Sequence, residues 1–126
     1  MQLHFYDEEL GAVISVYEGF LKFDEFKEIA SSTLGVIRKT TSSKILVNTS
    51  QLKVMVKQNQ DWINDVWFPE AKRAGVRYMA FLVPEDIFGK ISMEATNKQV
   101  LAEGEITIEY FDQESLARNW LKSVGG

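Results

Sequence analysis

The chain has 126 residues, 45% of them hydrophobic and 25% charged, with a formal net charge of −4 and no cysteine. That length suits one core, a single domain over residues 1–126, and no apolar run approaches the ~20 residues of a membrane-spanning helix. The acidic balance, without a Lys/Arg cluster, argues against nucleic-acid and anionic-membrane binding; the lack of disulfides and of a basic-then-apolar leader makes the cytoplasm the expected compartment.

"LHFYD" and "AVISVY" are β-rich runs joined by Glu8, Glu9, Leu10 and Gly11. Four residues are too few for a parallel crossover, so the two runs are expected to pair as an antiparallel hairpin. From Asp24 the period changes: Phe26, Ile29, Ala30, Thr33 and Ile37 fall at helical spacing, with Asp24 and Glu25 at the end where the helix dipole favours negative charge. "KILVNTS" reads as a buried strand, and "RYMAFLV" as a central parallel strand. Between them, "NQDWINDVWFPEAKRAG" reads as a second helix. "PEDIFGKISMEATNKQVLA" is a third, with Pro84 and Asp86 at its start, Ile87, Phe88, Ile91 and Ala95 on one stripe, and Gly104 beyond its end. "EITIEYF" alternates polar and apolar residues, the pattern of an edge strand with one wet face. The last helix is expected to start from an Asp112 N-cap and to dock through Leu116, Ala117, Trp120 and Leu121. The order ββαβαβαβα predicts an α/β fold: a mixed, mostly parallel five-stranded sheet with helices on both faces and right-handed crossovers. The strands from Ala12, Lys44 and Arg77 are expected to be central, and those near Leu3 and Glu105 at the edges.

This order, together with "ILVNTSQLKVMV", "DWINDVWFPEAKRAG", "YMAFLVPEDIF" and "YFDQESLARNWL", resembles the STAS domain, the fold of bacterial anti-sigma-factor antagonists and of sulfate-transporter tails. It is most similar to a group of small, uncharacterised bacterial STAS-like proteins. In the antagonists an Asp-Ser-Ser-Gly sequence opens the second helix, and its phosphorylation switches partner binding. Here Val56, Lys57, Gln58 and Asn59 stand at that place without a hydroxyl, and Thr49 and Ser50 lie upstream of it. The resemblance therefore implies a partner surface on the strand-end loop and second helix, without the serine switch.

No catalytic or metal-binding set emerges from the residues, and no cofactor is expected. His4 is the only histidine, without a Ser or Cys partner set. Asp7, Glu8 and Glu9 read as a solvated turn, and the eight glycines are too scattered for a phosphate loop. Asn48, Thr49 and Ser50 are placed by the pattern at the carboxyl end of a strand, where open α/β sheets bind ligands; the alternative is hydrogen bonding to local backbone. In the loop "QLKVMVKQ", Leu52, Val54, Met55 and Val56 either complete the core or form an apolar lip. On a helical wheel Trp62, Ile63, Val66, Trp67, Ala71 and Ala74 span the arc expected to lie on the sheet. Phe68 falls between Asp65 and Lys72 on the polar side and is expected to be an exposed anchor, unless a kink at Pro69 turns it inward.

The leading expectation is a non-catalytic module that engages a protein partner, or a second copy of itself, through Asn48, Thr49, Ser50, Met55, Trp62, Trp67, Phe68 and Phe88. The alternative is a carrier of a small apolar or lipid-like molecule, in a pocket between the second and third helices lined by Met55, Trp67, Phe68, Phe88 and Ile91.

Overall fold

A computed structural model describes residues 4–53 and 55–125. Along the chain run β1 (His4–Asp7), β2 (Ala12–Gly19), α1 (Phe23–Thr40), β3 (Lys44–Leu52), α2 (Lys57–Trp62), a π-helical turn (Ile63–Trp67) and α3 (Phe68–Ala74). They are followed by β4 (Tyr78–Leu82), α4 (Ile87–Glu103), β5 (Thr107–Phe111) and α5 (Glu114–Ser123). Because α2, the π-turn and α3 run on without a break, the described residues form four helical bodies. Leu3 and Val54, which the sequence assigns to the first strand and to the apolar loop, lie outside the described residues.

The sheet has the order β1-β2-β3-β4-β5, with only the β1–β2 hairpin antiparallel. The strand starting at Thr107 is at the edge, as its period-two pattern predicts, and β1 is the other edge. A parallel sheet whose strands follow one another in order has every crossover running the same way. With right-handed crossovers, all connecting helices must then lie on one face. One core accordingly joins α1, the α2–α3 body and α4 to Val13, Tyr17, Ile45, Val47, Met79, Phe81, Ile106 and Ile108. The opposite face, built on Ala12, Ile14, Leu46 and Ala80, is covered by α5 through Ala117 and Leu121. Helices thus lie on both faces, three bodies against one.

Two details of α5 depart from the sequence pattern. Its N-cap is Gln113, not Asp112, and makes no side-chain cap. Leu116 is exposed, and Trp120 is half-buried against Tyr78 and Phe111. The helix is short, and its two fully buried residues, Ala117 and Leu121, one turn apart, leave Leu116 to the side.

The hairpin turn is held by Asp7, whose carboxylate accepts from the Leu10 N–H at 3.0 Å and from Arg118 of α5 at 3.1 Å. The Leu10 N–H first, and then the Arg118 guanidinium, hold its carboxyl below the ordinary aspartate value. A depressed folded-state pKa contributes stability above the unfolded value of ~3.9 and loses it as pH falls through the folded one. Asp7→Asn should therefore flatten the acid limb of stability, read by urea melts below about pH 4. An unchanged acid limb would show that this pairing carries no folding energy in solution.

Candidate functional site

The aromatic segment around Pro69 is organised by a missing hydrogen-bond donor. A proline in a helix cannot donate to the carbonyl four residues back, and its ring crowds that turn. Here the chain widens into a π-turn just before Pro69, and the Phe68 N–H reaches the Ile63 carbonyl, five residues back. The extra residue rotates everything that follows. Phe68 is turned into the core, only 3% exposed and edge-to-face with Trp67 at 5.5 Å. The expectation of a surface anchor at Phe68 is therefore corrected; the kink at Pro69 turns it inward. Trp67 is buried too, its indole N–H donating to the Ala30 carbonyl at 2.9 Å, and Trp62 is partly buried, edge-on to Phe26. Val66, predicted to face the sheet, is exposed, because it sits within the widened turn. Glu70, which follows Pro69, reaches the surface and pairs with Arg73 and, at 2.7 Å, with Arg38. The hydrogen bond from Arg73, with Arg38 nearby, holds its carboxyl below the usual glutamate value.

Beneath these aromatics, between the three-helix side and the sheet, lies a cavity of about 50 Å³. Met55, Trp67 and Phe68 line it, as the carrier expectation has it, together with Met79, Phe81 and Met93. Phe88 and Ile91 do not; they face solvent. The lining is not purely apolar. Ser15 and Thr33 share a hydrogen bond of 2.9 Å, and burial pushes the Tyr17 hydroxyl above its ordinary pKa, opposed by these two neighbouring hydroxyls.

The third helix of the sequence, α4, is turned the other way from its apolar stripe. Its buried residues are Gly89, Ser92, Met93, Thr96, Asn97 and Val100, while Ile87, Phe88 and Ile91 are 65%, 67% and 59% exposed and Ala95 is exposed as well. The expectation that Ile87, Phe88, Ile91 and Ala95 form the docking stripe is thus reversed. The cause is the fit of the polar face. The Ser92 hydroxyl accepts from the Met55 N–H at 3.0 Å, and Asn64 of the π-turn donates to the Thr96 carbonyl at 3.0 Å. Asn97 donates to the Tyr110 hydroxyl at 3.4 Å. Buried polar groups with partners of this kind cost little, and they lock the helix to the loop before α2 and to the π-turn.

The same attachment gathers other apolar residues at the carboxyl end of the sheet. Gly89 lies against the carbonyls of Leu52 and Lys53, and the Lys53 N–H donates to Gly19 at 3.0 Å. Phe20, next to Gly19, is 59% exposed, and Val56, beside Met55, is exposed too. Among the residues predicted to form the partner surface, Phe88 is the one the structure leaves strongly exposed.

Asn48, Thr49 and Ser50 lie within β3, which runs on to Leu52. Thr49 is buried, donating to the Leu82 carbonyl at 2.7 Å, and the Asn48 side chain accepts from both the N–H and the hydroxyl of Ser50. These groups are engaged locally. The ligand crevice of open α/β sheets forms where strand order reverses, and the order here never reverses between parallel strands. Two residues, Thr49 and Ser50, stand opposite the single Tyr17 between the Val16–Asn48 and Glu18–Gln51 pairs, a bulge that shifts the alternation so that Leu52 joins Ile45, Val47 and Thr49 on the cavity side. Among the described residues, no three His, Asp or Glu side chains gather in a metal-binding group. No helix there is long and apolar enough to cross a membrane.

No protein-family model matches the chain, and no curated protein matches it.

Proposed function

We propose that the chain is a non-catalytic, STAS-like interaction module that docks a protein partner through the outward face of α4 and the loop leading into α2. The observation that carries this reading is the inversion of α4. Large exposed apolar side chains in a cluster mark interaction surfaces, whereas single ones are ordinary, and Ile87, Phe88 and Ile91 fall within two turns of one helix. The absence of catalysis in the proposal is supported by where the perturbed ionisable groups sit. Asp7, Glu70 and Arg118 are tied into surface ion pairs, and Tyr17 and Tyr110 are shifted upward chiefly by burial. The STAS-like assignment itself rests on the sequence resemblance and is in keeping with an antiparallel hairpin followed by three parallel strands in order.

Two measurements test the docking surface. Phe88→Ala should leave stability within ~0.5 kcal/mol of the parent in urea melts, since a surface side chain away from special contacts contributes little to folding. A photoreactive phenylalanine analogue at position 88 should give a discrete protein adduct on illumination in the native cell, and the same analogue at exposed Lys27 of α1 should not. Absence of any adduct at position 88 would refute the docking surface.

A second reading, a carrier of a small apolar or lipid-like molecule, is favoured by the cavity beneath Trp67 and Phe68. Its volume of about 50 Å³ is well below the ~150 Å³ of an engineered cavity that takes up benzene. A lipid would enter only if the α2–α3 body and α4 parted. Native mass spectrometry of protein purified from its own source would support this reading by a retained small mass and count against it by the bare chain mass.

A further inference from the structure

We infer that the partner covering α4 is a second copy of this chain, held antiparallel about a two-fold axis that crosses the helix near the level of Ser92. The inference rests on the docking reading above and names its occupant.

The argument is one of self-complementarity. At 100° per residue, Ile87, Ile91, Ala95 and Phe88 occupy the arc of α4 opposite its buried face, with exposed Lys98 between Ile87 and Ile91 towards the helix's C-terminal half, and Lys90 and Glu94 run along one flank of that arc. In an antiparallel two-fold pair, each flank meets the same flank of the other copy, with heights reversed. Ile91 then meets Ile91, and the ring of Phe88 lies over the small side chain of Ala95. Lys90 of each copy faces Glu94 of the other, giving two symmetric ion pairs. Neither residue has such a partner within its own chain: among the described residues no ion pair includes Lys90 or Glu94, although they are one turn apart. The order Lys then Glu is the weaker one for pairing within a helix, which leaves both charges available to a partner. An unrelated partner would have to supply this pattern independently; a second copy supplies it by symmetry.

A 17-residue helix is about 25 Å long, so a contact of helix on helix stands at the low end of specific interfaces, below ~1,200 Å² of total buried surface. A weak, reversible dimer is the expected form.

The test is sedimentation velocity of the full chain from micromolar to millimolar concentration, with urea melts to confirm that each variant is folded. The parent chain should pass from monomer to dimer across that range. Lys90→Glu and Glu94→Lys should each weaken the dimer by roughly tenfold, as two attractive rim pairs become repulsive. An equimolar mixture of the two variants should recover parent-like association, because each then supplies the charge the other needs. Ile91→Lys should weaken association by roughly thirtyfold or more, as for a central contact, with an unchanged melt. A parent chain that stays monomeric at millimolar concentration, or a mixture of the two variants that does not associate, would overturn the dimer. The photoreactive analogue at position 88 separates this from the broader reading. An adduct with a different protein on a monomeric chain sinks the dimer and keeps the docking surface, and no adduct at all sinks both.

Discussion

Phe68→Ala is expected to destabilise the protein by ~3–5 kcal/mol, the range for truncating a buried aromatic. Against a total stability of roughly 5–15 kcal/mol that is a large fraction. The ring is 3% exposed, lines the cavity beside Met79, Phe81 and Met93, and stacks edge-on against Trp67. Its removal would enlarge a space already present, and the surrounding backbone has little freedom to close it. The π-turn is committed by Pro69, and Trp67 is tied to Ala30. Urea melts give the measurement. A loss below ~1 kcal/mol would show that the segment does not turn Phe68 inward in solution. The contrast with Phe88→Ala, expected to be near neutral, separates the two phenylalanines by location alone.

Gly89→Ala is expected to cost ~1 kcal/mol net, although glycine to alanine inside a helix ordinarily gains ~1 kcal/mol. A β-carbon at position 89 would stand 2.8 Å from the Leu52 carbonyl oxygen, 3.3 Å from that of Lys53 and 3.2 Å from the Pro84 side chain. Two of those three neighbours are main-chain oxygens, which cannot rotate aside, so the helix itself must retreat at an overpacking cost of ~1–3 kcal/mol or more. Retreat would also stretch the bond between the Met55 N–H and Ser92 that joins α4 to the preceding loop. A variant more stable than the parent in urea melts would mean that α4 does not approach β3 this closely.

Helical spacing in the third helix supports two faces, and this is where sequence reading and structure part. Ile87, Phe88, Ile91 and Ala95 form one stripe. Gly89, Ser92, Met93, Thr96, Asn97 and Val100 form another at spacings of three and four, equally regular and far less apolar. Hydropathy selects the first; the structure buries the second. The signal in the sequence was Gly89 at the head of the polar stripe, since a glycine followed by small residues on one helical face is what a close approach to backbone requires. Recognising it as such needs the Leu52 and Lys53 carbonyls, which only the folded chain brings there.

The sequence by itself determined the element order, the antiparallel hairpin, the edge position of the strand beginning at Thr107 and the helix ends at Gly75 and Gly104. Each follows from local rules: connection length, a period of two against one near 3.6, and glycines with positive φ, 104° and 76° in the last two cases. Only the tertiary structure decided which way the helices face. A proline at position 69 allows a kink without fixing which way the following residues turn; in the folded chain the π-turn before it, with the Phe68 N–H on the Ile63 carbonyl, brings Phe68 inward against Trp67. α4 turns its apolar side to solvent because the Ser92 hydroxyl meets the Met55 N–H, the Asn97 side chain meets the Tyr110 hydroxyl, and the Thr96 main-chain carbonyl accepts from Asn64, partners 13 to 37 positions away in the chain. Periodicity reports that a helix has a face to bury; partners distant in sequence decide which face it is.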